Sequence, residues 1–231
     1  MKSADALHSV QISILEVLRH ATRARYSELL RATGITGDTF KYHLHTLMRK
    51  KYAVKADDGI YELTAEGKEF ANRLDKKTGR ELAQPKASML LVVRSEGKYL
   101  AHRRTREPFY GFWQVPSAPV LRGVPICDAA ARELKKQTGL AAEFRVAGLQ
   151  RVIDTRANGT VLEDKLFTLL VADMAGCPSL HSWYGGESYW LGRDALLAKD
   201  RLFPTTAKTL DMIERGETFA EDVCVYKKSE Y

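Results

Sequence analysis

The chain has 231 residues, 45% apolar and 28% charged, with a formal net charge of +7, which suits two soluble domains. Its longest apolar runs, such as Met89–Val93, are far short of the ~20 residues that span a bilayer, and the N-terminal residues Lys2, Asp5, His8 and Gln11 do not form a signal peptide. Three widely spaced cysteines, Cys127, Cys177 and Cys224, make neither a disulfide framework nor a zinc site, so a cytoplasmic location is expected and a membrane partner is not.

In chain order, Val10, Ile14, Leu15 and Leu18 recur at helical spacing and predict a helix over about Ala4–Ala21. A short helix follows near Ser27–Ala32, then the turn Thr33-Gly34-Ile35-Thr36-Gly37. Thr36 or Asp38 can cap a third helix running to Arg49, with Phe40, Leu44, Leu47 and Met48 inward. The segments Tyr52–Ala56 and Ile60–Thr64 flank Asp57-Asp58-Gly59, a hairpin signal, and Thr64 caps a further helix to Leu74. Between Arg19 and Lys55 nine cations face two anions, Glu28 and Asp38, so this stretch alone carries a charge equal to that of the whole chain. Such clustering points to an anionic partner.

The segment from Thr39 to Leu47, with its His-Leu-x-x-Leu pattern, and the step Leu63-Thr64-Ala65-Glu66-Gly67 resemble the recognition helix and post-wing turn of winged-helix bacterial repressors. The resemblance covers about residues 8–74 and implies an α+β winged helix, three helices plus a β-hairpin wing, as a domain over residues 1–75. With the apolar residues turned inward, Thr39, Lys41, Tyr42, His43 and Thr46 are expected to project outward toward base edges or phosphates, and Arg49, Lys50, Lys51 and Lys55 to neutralise phosphates of double-stranded DNA. His43 and His45, two apart on a helix, face different directions and do not form a metal pair.

Residues 76–86 are polar, include Lys76-Lys77-Thr78-Gly79-Arg80 and carry Pro85, the composition of a linker. From residue 87 to 231 strands mix with helices: Ser88–Arg94 and Tyr99–Arg103 around a turn, a helix over Cys127–Thr138 closed by Gly139, Phe144–Thr155 and Val161–Ala172 around Asn158-Gly159, a strand at Ser188–Leu191, and helices at Asp194–Leu197 and Thr205–Arg215. This uneven mixture predicts an α/β sandwich.

The approach Gly111-Phe112-Trp113-Gln114-Val115-Pro116 and the helix end Arg132-Glu133-Leu134 … Gly139-Leu140 resemble the Nudix box, G-x5-E-x7-R-E-U-x-E-E-x-G-U. The resemblance spans about residues 87–215 and implies an α/β/α Nudix sandwich with a mixed sheet. Anchored on Arg132 and Glu133, the first glycine of the box falls on Ala118, and its other three glutamates fall on Val124, Lys136 and Gln137. Residues 133, 136 and 137 share one helix face, so Glu133 stands nearly alone where Mg²⁺ wants several oxygens. An ammonium about 5 Å from a dication adds repulsion of roughly 1 kcal/mol or more.

The resemblance therefore implies a catalytically impaired domain that senses a nucleotide or other diphosphate-containing molecule without a required cofactor. Lys136 then either pairs with a phosphate or with Glu133. Arg103, Arg104 and Arg132 are the further ligand-binding candidates. The combination reads as a DNA-binding transcriptional regulator, expected to be a homodimer because winged helices commonly read two half-sites. Nudix-related regulators are known with the opposite domain order. The alternatives are a Mg²⁺-dependent hydrolase of nucleoside diphosphate derivatives, using Glu133 as metal ligand and Glu187 as late acidic base, or a protein-interaction adaptor. Asp154, Glu163 and Asp164 are read as surface charges.

Overall fold

The computed structural model describes residues 6–181 and 183–231, which form two compact units dividing between Ala83 and Gln84. The N-terminal unit runs α1 (Ser9–Ala21), β1 (Arg23–Arg25), α2 (Tyr26–Thr33), α3 (Gly37–Arg49), β2 (Ala53–Lys55), β3 (Ile60–Leu63), α4 (Ala65–Asn72), β4 (Leu74–Asp75) and β5 (Arg80–Glu81). The expected helix start at Ala4 lies outside the described residues. Within them, His8 caps α1: its Nδ1 accepts from the Val10 N–H, and Gln11 accepts from the His8 N–H.

The helical spacing delivers its core as expected. Ile14, Leu15, Leu18, Leu29, Phe40, Leu44 and Leu47 are each no more than 1% exposed and pack into one cluster. Thr64 caps α4 by accepting from the Gly67 N–H at 2.9 Å. Strand β3 pairs antiparallel with both β2 and β1. The β1 strand is three residues long with only Ala24 inward, too short to show a period in the sequence.

The division between the units falls inside the stretch expected as a linker, of which residues 76–81 form part of a hairpin and residues 82–85 have no regular structure. Leu74 pairs with Glu81 and Asp75 with Arg80, the Gly79 carbonyl accepts from the Leu7 N–H at 2.8 Å, and Lys76 pairs with Glu16 at 2.5 Å. Asp75 closes the turn by accepting from the Lys77 N–H and the Thr78 hydroxyl. The polarity of this segment is that of an exposed turn.

The C-terminal unit contains β6 (Lys86–Ser95), β7 (Lys98–Arg104), β8 (Trp113–Gln114), β9 (Ser117–Pro119), α5 (Ile126–Thr138), β10 (Arg145–Arg156), β11 (Val161–Asp173), β12 (Gly186–Gly192), α6 (Arg193–Leu197), α7 (Thr206–Arg215) and β13 (Phe219–Tyr226). The sheet order is β12-β7-β6-β11-β10-β13, with β8 on β7 and β9 on β6. Pairs β6/β11 and β10/β13 are parallel and the others antiparallel, so this is a mixed-sheet α/β fold. Alternate β6 residues serve opposite faces: Leu90 and Val92 meet α6 and α7 through Leu196, Leu210 and Met212, whereas Met89, Leu91 and Val93 meet α5 through Ala129, Ala130 and Leu134. Gly139 ends α5 with φ 80°.

Strand β13 is not among the elements expected from sequence, although Ala220, Cys224 and Tyr226 alternate inward along it. Among the described residues no helix is long and apolar enough to cross a membrane.

Candidate functional site

Two surfaces carry chemistry, one in each unit. On α3 the solvent-facing residues are Asp38, Thr39, Lys41, Tyr42, His45 and Arg49, with Tyr42 64% exposed. Asp38, Lys41, Tyr42, His45 and Arg49 fall three, four, seven and eleven residues apart and so form one stripe. Lys51 and Lys55 are exposed beyond the helix, and Lys50 is half-buried. None of Lys41, Arg49, Lys50, Lys51 or Lys55 is in an ion pair among the described residues, whereas Arg94, Arg151, Arg193 and Lys208 of the other unit all hold carboxylates.

His43 and Thr46 do not project outward, contrary to expectation. His43 is 7% exposed and stacks on His8 with ring centroids 4.5 Å apart. Position 43 lies more than a third of a turn away from the middle of the exposed stripe, on the side that meets the start of α1. Burial, with repulsion from His8, holds its pKa below the ordinary histidine value. Thr46 is 8% exposed, and its hydroxyl donates to the Tyr42 carbonyl at 2.9 Å. The residue that takes the outward place is His45.

In the C-terminal unit the box helix presents little free chemistry. Lys136 Nζ lies 3.4 Å from Glu133 Oε1, so the cation neutralises the one acid on that face. Gln137 is 2% exposed and its Nε2 donates to the Ser117 carbonyl at 3.2 Å. Val124 packs against the apolar cluster under α5. Arg132 is exposed on the same helix. Arg103 pairs with Glu187 at 3.5 Å, and Glu187 also accepts from the Tyr189 hydroxyl. Among the described residues no three His, Cys, Asp or Glu side chains group as metal ligands. The box positions thus hold an ion-paired carboxylate, a cation, a buried amide and an alkyl group. That set does not fit Mg²⁺, which takes several hard oxygen donors.

The stronger concentration of charge is a cleft of about 210 Å³ lined by Lys86, Arg104, Arg106 and Lys165, with Glu163 as its one lining acid among the described residues. Of the sequence candidates only Arg104 enters it. Arg104 is oriented by its Nε–H, which donates to the Pro108 carbonyl at 3.0 Å. Burial, then repulsion from Arg106, lowers its pKa. Glu163 bridges Lys86 at 2.7 Å and Lys165 at 3.0 Å. Burial works to raise the Glu163 pKa, but the bonds from the two lysines outweigh it and hold the carboxyl below its usual range.

Behind them Lys165 meets Asp154 at 2.5 Å. The expectation that Asp154 and Glu163 are surface charges is corrected. Asp154 is fully buried, with its pKa raised by desolvation, and Glu163 is half-buried in this ion chain. The reason is period: 163 and 165 share the inward phase of Phe167, Leu169 and Val171. That phase is the available signal for Lys165. Lys86 and Arg106 give none, because only the fold brings a strand start and a loop together.

No family model matches the chain, and no curated protein matches it. Similar solved structures include a NUDIX hydrolase from Nitrosomonas europaea, at 20% identity over 59% of this chain and 93% of that one, TM-score 0.48. A MutT NUDIX hydrolase from Burkholderia pseudomallei matches at 25% identity over 57% and 99%, TM-score 0.48. The NUDIX domain of Shewanella oneidensis NrtR, complexed with ADP ribose, matches at 16% identity over 66% and 96%, TM-score 0.48.

Proposed function

We propose that this protein is a DNA-binding transcriptional regulator, with an N-terminal winged helix-turn-helix and a C-terminal degenerate Nudix domain that senses a diphosphate-containing ligand. The observation that carries the DNA-binding part is the stripe of Lys41, Tyr42, His45 and Arg49, continued by Lys51 and Lys55, whose cations have no carboxylate partners among the described residues. Exposed, unpaired cations beside an aromatic ring on a helix after a turn suit phosphate neutralisation and groove contact. Sensing in place of hydrolysis is supported by the box face, where Glu133 is tied to Lys136 and Gln137 is buried against Ser117. Regulation follows if the ligand binds one arrangement of the two units better than another. The active assembly is a homodimer reading two half-sites.

The test is duplex binding by fluorescence anisotropy across a salt series. Wild type binds with a steep negative salt slope. Lys41→Ala with Arg49→Ala weakens binding and flattens the slope by up to about two, near 0.9 for each phosphate that is no longer neutralised. No duplex binding at low salt defeats the reading. Turnover of a nucleoside diphosphate with Mg²⁺, abolished by Glu133→Gln, replaces sensing by hydrolysis.

A further inference from the structure

We propose that the cleft of Lys86, Arg104, Arg106 and Lys165 is a metal-independent site for a diphosphate group, in which Glu163 stands as a displaceable internal carboxylate. This rests on the reading that the C-terminal unit binds a diphosphate ligand; the cleft is lined by Ser117 and Ala118 at the start of the box but, among the described residues, by no side chain of α5.

Among the described residues four cations converge on one small cavity and Glu163 is the only acid on its wall. Asp154 lies behind, committed to Lys165. Neither Arg104 nor Arg106 has a carboxylate partner among the described residues; Arg106 rests over the Trp183 ring, 5.4 Å from its centroid. A half-buried guanidinium with no carboxylate in contact is costly: burial and repulsion from Arg106 lower the Arg104 pKa, and the more distant Glu163 and Glu107 only partly offset them. An anion in the cleft repays that cost through charge-assisted hydrogen bonds from the guanidinium fork.

Glu163 already shows where one such anion sits, because its two carboxylate oxygens take Lys86 on one side and Lys165 on the other. A phosphate oxygen pair makes the same bridge with more charge. The volume, about 210 Å³, is below the ~300 Å³ of a drug-sized pocket. It therefore admits a diphosphate and leaves the rest of a larger ligand outside. Magnesium has no role here, since the cations supply the neutralisation that a metal gives in a carboxylate site.

The experiment is calorimetric titration of the full chain with inorganic pyrophosphate and with ADP, in the presence of EDTA. Wild type binds pyrophosphate. Arg104→Ala weakens it by at least about tenfold, the equivalent of one charge-assisted bond, and Arg106→Ala, at an exposed position, weakens it without threatening the fold. Glu163→Gln tightens binding by about tenfold, because the competitor loses its charge while its shape remains. Lys136→Ala leaves affinity unchanged. The proposal is overturned if the three cleft variants bind like wild type, if Lys136→Ala or Arg132→Ala abolishes binding, or if binding requires Mg²⁺. ADP binding that ignores the cleft variants sinks this site and leaves the sensing function standing. Failure of both ligands to bind wild type and Glu163→Gln sinks both.

Discussion

Gln137 donates from Nε2 to the Ser117 carbonyl at 3.2 Å while its own Oε1 is buried without a hydrogen-bond partner among the described residues. The amide is therefore suited to this position and a carboxylate is not. Gln137→Glu puts a carboxylate oxygen against a carbonyl oxygen and buries a second acceptor. An uncompensated buried charge costs about 3 kcal/mol or more. The native carboxyl pKa is then raised, so the destabilisation is full at neutral pH and shrinks as pH falls below that raised value. All three tryptophans, at 113, 183 and 190, lie in the C-terminal unit, so urea unfolding followed by tryptophan fluorescence reads that unit alone. Equal stability of the variant at pH 7.5 removes the structural reason for glutamine there.

Much of the scaffold is legible in the sequence because local chemistry and tertiary packing agree. The Asn158-Gly159 turn lies between β10 and β11 as expected, with Gly159 at φ 80°, and Gly139 ends α5 at the expected position. Among the elements that escape, β1, β8 and β9 are two or three residues long and have only a pairwise signal, whereas β13 is eight residues long and its alternation is there to be read. The cleft escapes for a related reason. Lys86 and Lys165 are neighbours because β6 and β11 run parallel with those two residues in register, a pairing that no short window of sequence displays. His43 is misassigned by periodicity because helical phase separates inside from outside only to within about one residue at the boundary of an apolar stripe.

Gly67 illustrates a backbone approach that fixes a residue type. A Cβ there would lie 1.8 Å from the Tyr52 carbonyl oxygen and 2.7 Å from its carbon. Alanine gains up to about 1 kcal/mol of helix propensity but forces the chain at Tyr52 to move, an overpacking cost of about 3 kcal/mol. Gly67→Ala is therefore expected to lower the melting point of the N-terminal unit, seen by far-UV circular dichroism. Gly37→Ala, where nothing lies within 4 Å, is the control and should be neutral or slightly stabilising. A Gly67→Ala protein as stable as wild type would show that α4 and Tyr52 do not approach this closely.

His102 supplies a pH dependence with a definite sign. It is 4% exposed, and burial, then repulsion from Arg104, pushes its pKa down from 6.5 to about 4. A histidine with a depressed native pKa is neutral in both states above 6.5 and costs nothing there. As pH falls below 6.5 the unfolded chain takes up the proton first, so stability falls until the folded pKa is reached. At 1.36 kcal/mol per unit, the C-terminal unit should lose about 2 kcal/mol between pH 7.5 and 5. His102→Asn should flatten that part of the tryptophan-monitored stability curve. An unchanged slope in the variant means that another group is responsible.

The two histidines of α3 should separate stability from recognition. His43 is buried and stacked on His8, so His43→Ala removes an aromatic pair and its burial, at about 2 kcal/mol. His45 is exposed on the stripe with Tyr42 and Arg49, so His45→Ala should change stability by less than about 0.5 kcal/mol and weaken duplex binding several-fold at constant salt. Melting curves and anisotropy on the same two proteins make the comparison. If His45→Ala binds duplex as wild type does, and His43→Ala loses binding while melting normally, then the face of α3 that meets DNA is the one packed here against α1, and that packing must open before binding.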